Sequence, residues 1–174
     1  MTFVEFLQMI FSGNNLALIG AGLATFMAGI GSAKGVNLVA KASAGLLTED
    51  PSKFGKTLAL QALPMTQGIY GFIVAFLILL NMGAIGGEPS LTISQGAYYL
   101  MASLPIAIVG FYSGIKQGKV AASGIALLAK RPKEVGKAIT SAALVETYAI
   151  FAVLVSLLLV LFAPEAAAEA AAAL

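Results

Sequence analysis

Residues 16–47, 54–82, 95–129 and 135–162 are four stretches dominated by apolar side chains, each about 28 to 35 residues long. At about 1.5 Å of rise per residue, such helices would be about 42 to 52 Å long, well past a hydrocarbon core of ~30 Å. They are therefore expected to span a membrane and to protrude, on one side. Composition agrees: of 174 residues, 59% are hydrophobic and 10% charged, whereas a soluble domain is about a quarter charged and needs that charge to coat its surface. The expected fold is an all-α membrane protein of four transmembrane helices.

Two short polar segments separate the stretches in pairs. Thr48-Glu49-Asp50-Pro51-Ser52-Lys53 and Lys130-Arg131-Pro132-Lys133-Glu134 each carry a proline, as a tight reversal between antiparallel helices requires. The middle connection, with Gly86-Gly87-Glu88-Pro89, is longer. The chain thus divides into an N-terminal segment 1–15, a first helical hairpin 16–82, a loop 83–94, a second hairpin 95–162 and an Ala/Glu-rich tail 163–174 to which no function is assigned. All 10 basic residues (Lys34, Lys41, Lys53, Lys56, Lys116, Lys119, Lys130, Arg131, Lys133 and Lys137) lie in the hairpin turns or in the helix halves leading to them. Cytoplasmic loops of membrane proteins are enriched in Lys and Arg, so both turns are expected in the cytoplasm and both termini outside it. Met1 to Phe11 has no basic start and carries Glu5, so it does not read as a signal peptide.

Several function classes fall away. Ten basic against 8 acidic residues give a net charge of +2, too little to argue for nucleic acid. With no His and no Cys there is no zinc, thiolate or Ser/His/Asp chemistry. Gly29-Ile30-Gly31-Ser32-Ala33-Lys34-Gly35 lacks the spacing of a phosphate-binding loop and sits inside a span. An enzyme acting alone is not expected.

The hairpins repeat. Laid so that Pro51 falls on Pro132, the sequence also matches Gly29 with Gly110, Ser32 with Ser113, Val39-Ala40 with Val120-Ala121, Leu46-Leu47 with Leu127-Leu128, Gly55-Lys56 with Gly136-Lys137, and Thr66 with Thr147. The first helix of each hairpin carries small residues every fourth position, Gly20, Ala24 and Ala28 in one and Gly110, Gly114, Gly118, Ala122 and Ala126 in the other. Such faces let backbones approach closely in lipid. They could serve contacts among the chain's own helices, or the crowding of many copies on the inner circle of a ring, which is the expectation favoured here.

Of 8 acidic residues, Glu5, Glu88, Glu165 and Glu169 lie outside the spans, and Glu49, Asp50 and Glu134 sit at the turns. Only Glu146 is deep in an apolar stretch. A charge there costs at least ~2.5 kcal/mol on insertion scales, so a functional role is the default, with a structural pairing to Lys as the alternative. Glu146 is about 14 residues past its turn and Gln117 about 14 before it, which puts both ~20 Å from the turn. Gln67 and Thr66 reach nearly the same depth in the first hairpin. Pro64, one turn earlier, frees a backbone carbonyl. Carboxylate, amide, hydroxyl and carbonyl oxygens together suit a small hard cation, whereas a proton needs little beyond the carboxyl. Lys34 and Lys116 fall at comparable depth; they snorkel to a boundary or one of them pairs with Glu146. In the repeat Glu146 falls on Met65, so each chain has one ionisable membrane site.

Leu63-Pro64-Met65-Thr66-Gln67-Gly68-Ile69-Tyr70-Gly71, Ser113-Gly114-Ile115-Lys116-Gln117-Gly118-Lys119 and Glu146-Thr147-Tyr148-Ala149-Ile150, set in a duplicated hairpin, resemble the proteolipid (K, or c) subunit of bacterial V-type ATPases, in particular the sodium-pumping, four-helix type. The likeness runs from about residue 16 to residue 162. It implies that Na⁺ is bound by the Leu63 carbonyl, the Thr66 hydroxyl, the Gln67 and Gln117 amide oxygens and the Glu146 carboxylate, with Tyr70 hydrogen-bonded to that carboxylate. It further implies a multi-pass protein of the cell membrane, a ring of identical copies, a membrane stator supplying an Arg, and a central stalk that couples the ring to ATP hydrolysis in other subunits. H⁺ in place of Na⁺, or a small secondary transporter built from hairpin repeats, are the alternatives. Transporter repeats often carry broken helices at the binding site, and here only Pro64 and Pro105 interrupt the spans.

Overall fold

The computed structural model describes residues 2–163. Met1 and residues 164–174, and with them nearly all of the Ala/Glu-rich tail, lie outside the described residues. Six α-helices follow one another: α1 (Phe3–Ile10), α2 (Gly13–Glu49), α3 (Phe54–Ala62), α4 (Thr66–Asn81), α5 (Ile93–Lys130) and α6 (Val135–Leu161). Four continuous helical runs are long and apolar enough to cross a membrane: Gly13–Glu49, Pro51–Asn81, Ile93–Lys130 and Pro132–Leu161.

Local chemistry sets the ends of these runs. Ser12 caps α2 by accepting the Asn15 N–H at 3.4 Å. Thr92 and Gln95 close a capping box at the start of α5, the Thr92 N–H donating to Gln95 Oε1 at 2.7 Å and the Gln95 N–H to Thr92 Oγ1 at 3.3 Å. At the far end of α4, Gly83 (φ 76°) takes the left-handed turn of a Schellman motif, with the Ala84 N–H bonded to the Leu79 carbonyl at 3.0 Å.

The repeat is visible in the backbone. Asp50 and Arg131, each before a proline, take nearly the same extended conformation, φ/ψ −142°/87° and −140°/76°, and each is followed by one 3₁₀ turn. Asp50 accepts both the Ser52 N–H and the Ser52 hydroxyl and lies 3.2 Å from the Lys53 ammonium. The bond from Ser52, then the neighbouring Lys53, holds its carboxyl below the usual aspartate range. Lys53 Nζ also donates to the Ala129 carbonyl, at the carbonyl end of α5, and Lys56 Nζ of α3 to the Pro132 carbonyl in the second turn, so the two lysines tie the turns together at one level. At the opposite end, Asn14 accepts the Leu91 N–H at 2.9 Å and donates to the Pro89 carbonyl at 3.1 Å, and Asn81 donates to the Val160 carbonyl.

α2 and α5 lie against one another with their backbones almost touching. A Cβ built on Gly31 would lie 2.6 Å from the Phe111 Cα, and one on Gly114 2.7 Å from the Gly31 carbonyl carbon. Gly118 is directed at the Gly35 backbone, Gly35 at Gly114 and Pro64, and Gly71 of α4 presses on Ala24 and Ala28. Within the chain the small-residue faces bring α2 and α5 together. The positions are small because helix packing in lipid depends on close van der Waals approach rather than on a solvent-driven term.

Three features depart from the plain hairpin picture. Part of the N-terminal segment is helical, as α1. Pro64 converts the second span locally to a 3₁₀ turn, Leu63–Met65, between α3 and α4. Pro105 stays inside α5, where the Ile106 N–H is taken up by Ser156 Oγ of α6 at 3.3 Å.

Two apolar cores result. One, including Val74, Ile78, Tyr99, Ile106 and Val160, fills the half towards the middle loop, and the other, including Val39, Leu60, Ile125, Leu128 and Ala142, fills the half towards the turns. A polar layer lies between them.

Candidate ion site

The side chains of that layer come from three helices. Leu63, Gln67 and Tyr70 are spaced at four and three residues and so share one face of the 3₁₀–α4 junction. Ser113 and Gln117 are one turn apart on α5, and Glu146 enters from α6. Gln67 and Gln117 are 0% exposed. Amides so buried must be hydrogen-bonded or pay the desolvation of the unpaired group.

The bonds form a chain. Gln67 Nε2 donates to Ser113 Oγ at 3.3 Å and to Gln117 Oε1 at 2.6 Å. Gln117 Nε2 donates to Glu146 Oε2 at 3.3 Å, and the Tyr70 hydroxyl donates to the other carboxylate oxygen, Oε1, at 2.7 Å. Thr66 Oγ1 donates to the Leu63 carbonyl at 3.2 Å, one turn before. The structure thus joins Gln67, Gln117, Tyr70 and Glu146 in one network and pairs Thr66 with Leu63 beside it.

One atom is left over. Gln67 Oε1 is buried and has no hydrogen-bond partner. An unsatisfied buried amide oxygen costs about 1–3 kcal/mol. It is an acceptor awaiting a donor or a cation.

Residue spacing by itself does not single out Ser113. It fixes the Gln67 amide and donates in turn to the Val145 carbonyl at 3.1 Å. The available signal is its place one turn before Gln117 and its match with Ser32 in the repeat. Neither lysine reaches the carboxylate. Lys34 Nζ stands 5.4 Å from the centre of the Phe111 ring, and among the described residues Glu146 has no ion pair. Nor is there, among the described residues, a cluster of three or more carboxylates of the kind that holds a resident metal.

A single half-buried carboxylate ringed by neutral oxygens, in the second of two like hairpins, is a specific pattern, and comparison with known proteins decides what it belongs to. The family of the ATP synthase C subunit matches the chain twice, over residues 19–78 and 100–159, at the same offset that lays Pro51 on Pro132. The chain belongs to this ATP synthase C-subunit family. It is 52% identical over 149 residues to the V-type sodium ATPase subunit K of Enterococcus hirae, covering 86% of this chain and 92% of that protein. It is 40% identical over 161 residues to the A-type ATP synthase subunit K of Methanocaldococcus jannaschii, covering 91% of this chain and 69% of that protein. As a member of the family it carries two copies of the matched hairpin, and only the second keeps a carboxylate in the span, since Met65 stands where Glu146 stands in the other copy.

Proposed function

We propose that this chain is the ion-carrying subunit of a membrane rotor ring in a rotary ATPase, and that it binds Na⁺ as cargo at Glu146. The observation that carries the reading is the orphaned Gln67 Oε1, held beside the Gln117–Glu146–Tyr70 network with the Leu63 carbonyl and the Thr66 hydroxyl one turn away. Oxygens of this kind replace the hydration shell of a hard cation. The Enterococcus hirae relative is a sodium ATPase subunit, which points the same way.

In this reading the Leu63 carbonyl, Thr66, Gln67, Gln117 and Glu146 supply the oxygens, and Tyr70 holds the carboxylate in the closed position. An occupied site is neutral and can face lipid, while an empty carboxylate cannot without a large desolvation cost. A stator arginine would displace the ion and open the site to one side at a time. Rotation would be driven through a central stalk by ATP hydrolysis in other subunits. In this reading the basic turns and the stalk lie on the cytoplasmic side of a cell membrane and both termini lie outside, which the enrichment of Lys and Arg in cytoplasmic loops supports. The two apolar cores above and below the polar layer would keep an ion from leaking past Glu146.

The test is labelling of the purified assembly with a carboxyl-reactive carbodiimide, with and without Na⁺ at fixed pH. Modification of Glu146 alone, with protection by millimolar Na⁺, is expected. Labelling that responds to pH while ignoring Na⁺ would replace Na⁺ by H⁺ as the cargo.

A further inference from the structure

The hydrogen bonds of the polar layer have a direction, and α6 sets it from both ends. The Val145 carbonyl can only accept. Ser113 Oγ spends its one proton on that carbonyl at 3.1 Å, so towards Gln67 the hydroxyl can only accept as well. At the other end Gln117 Nε2 donates to the Glu146 carboxylate at 3.3 Å, which turns the Gln117 Oε1 acceptor towards Gln67. Two consecutive residues of α6, one through its backbone and one through its side chain, therefore demand donors from the same amide. Gln67 has two N–H protons, and the bonds to Ser113 at 3.3 Å and to Gln117 at 2.6 Å use both.

Only one of the two ways round suits the Gln67 amide. Turned by half a revolution, Oε1 would face the Ser113 and Gln117 oxygens, and Nε2, which has only protons to offer, would stand where the orphaned oxygen now stands. The free acceptor at Gln67 Oε1 is thus a forced remainder of bonds made elsewhere.

We infer that Ser113 is a positioning residue for the cation, holding the Gln67 amide the right way round so that Oε1 stays turned into the site. The inference rests on the Na⁺ reading above and adds a residue that acts through one of its ligands. Ser113 is 5% exposed and Gln67 fully buried, so no bulk water competes for these bonds. The two halves of the lock also differ in kind. Glu146 changes partners as cargo arrives and leaves, whereas a helix carbonyl accepts at all times. The Ser113 bond is the half that outlasts an exchange, and it leaves the emptied site already arranged for the next ion.

The repeat supplies the comparison. Ser32 stands in the first hairpin where Ser113 stands in the second. It too donates to a carbonyl of the facing run, that of Met65 at 3.4 Å, but its accepting side is taken by the Gly68 N–H at 2.7 Å. Ser32 joins backbone to backbone and orients no side chain. The same serine becomes a positioning group only where an amide, rather than a backbone N–H, meets its lone pair.

The test is the carbodiimide assay on the purified assembly at one fixed pH, read in two ways: the rate of Glu146 labelling without Na⁺, and the Na⁺ concentration that gives half protection. In Ser113→Ala that concentration is expected to rise about three- to tenfold while the unprotected rate stays as in the wild type. Ser113→Thr, which keeps the hydroxyl, and Ser32→Ala should both retain the wild-type concentration. An unchanged concentration in Ser113→Ala would overturn the inference. A rise shared by Ser113→Thr, a parallel change in the unprotected rate, or a Ser113→Ala chain that no longer assembles would overturn it too, by making Ser113 a helix-packing residue. Wild-type labelling that ignores Na⁺ would instead overturn the Na⁺ reading beneath it.

Discussion

The Tyr70 hydroxyl donates a 2.7 Å hydrogen bond to Glu146 Oε1 across the boundary between the two repeats. It joins the hairpin that lacks a membrane carboxylate to the hairpin that has one. Tyr70→Phe removes this bond with little change of shape. A bond to a charged group contributes about 1.5–3 kcal/mol, so the Na⁺ concentration that protects Glu146 from carbodiimide should rise about tenfold or more. Unchanged protection would mean that Tyr70 does not hold the occupied carboxylate.

Gln67→Leu tests the orphaned oxygen. It removes a ligand together with the donors to Ser113 and Gln117, leaving the buried Gln117 Oε1 without its 2.6 Å partner. Na⁺ protection of Glu146 is expected to be lost, at about 1–3 kcal/mol per unmatched group, while the assembly still migrates as a ring on a native gel. Wild-type protection by Na⁺ in this variant would remove Gln67 from the ligand set.

The α2–α5 joint has its own signature. Gly35→Ala places a methyl group against the Gly114 backbone and Pro64, neither of which can swing away. Thermal unfolding in detergent should fall by several degrees, in line with about 1–3 kcal/mol for overpacking. Gly55→Ala, with no atom within 4 Å of the new carbon, should leave it unchanged or raise it slightly.

Asp50 gives a pH dependence at the first turn. Its carboxyl is held below the usual range by Ser52 and then Lys53, so its contribution is present above the ordinary aspartate value and fades as pH falls through the lowered one. The difference in melting temperature between wild type and Asp50→Asn should therefore shrink in acid. A difference that grew on acidification would reverse the sign assigned here.

Depth along a membrane span is legible in the sequence because a helix rises by a fixed distance per residue. Distance from the two proline turns alone places Gln67, Gln117 and Glu146 in one layer. Azimuth is not legible in the same way. Lys34 is at a similar depth, yet it points to Phe111 rather than to the carboxylate, and nothing in residue spacing separates the two outcomes. The small-residue faces show the same limit: periodicity says that some backbone comes close at Gly31 and Gly114, without saying whether it is the chain's own. α1 escapes a reading of periodicity because a helix of 8 residues has almost no intrinsic stability to read. Ser113 escapes it because a lone hydroxyl in a bundle is usually satisfied by its own helix, whereas this one bridges Gln67 of α4 and the Val145 carbonyl of α6.

The presence of Met65 in place of a carboxylate sets the gearing of any rotor built from this chain. One carrier every four helices, rather than every two, halves the ions moved per revolution for a ring of given girth. The same work per turn is then divided among fewer ions, so each can be driven against a steeper gradient, at about 2.3 kcal/mol for every 100 mV opposed by one charge. Met65 trades throughput for driving force.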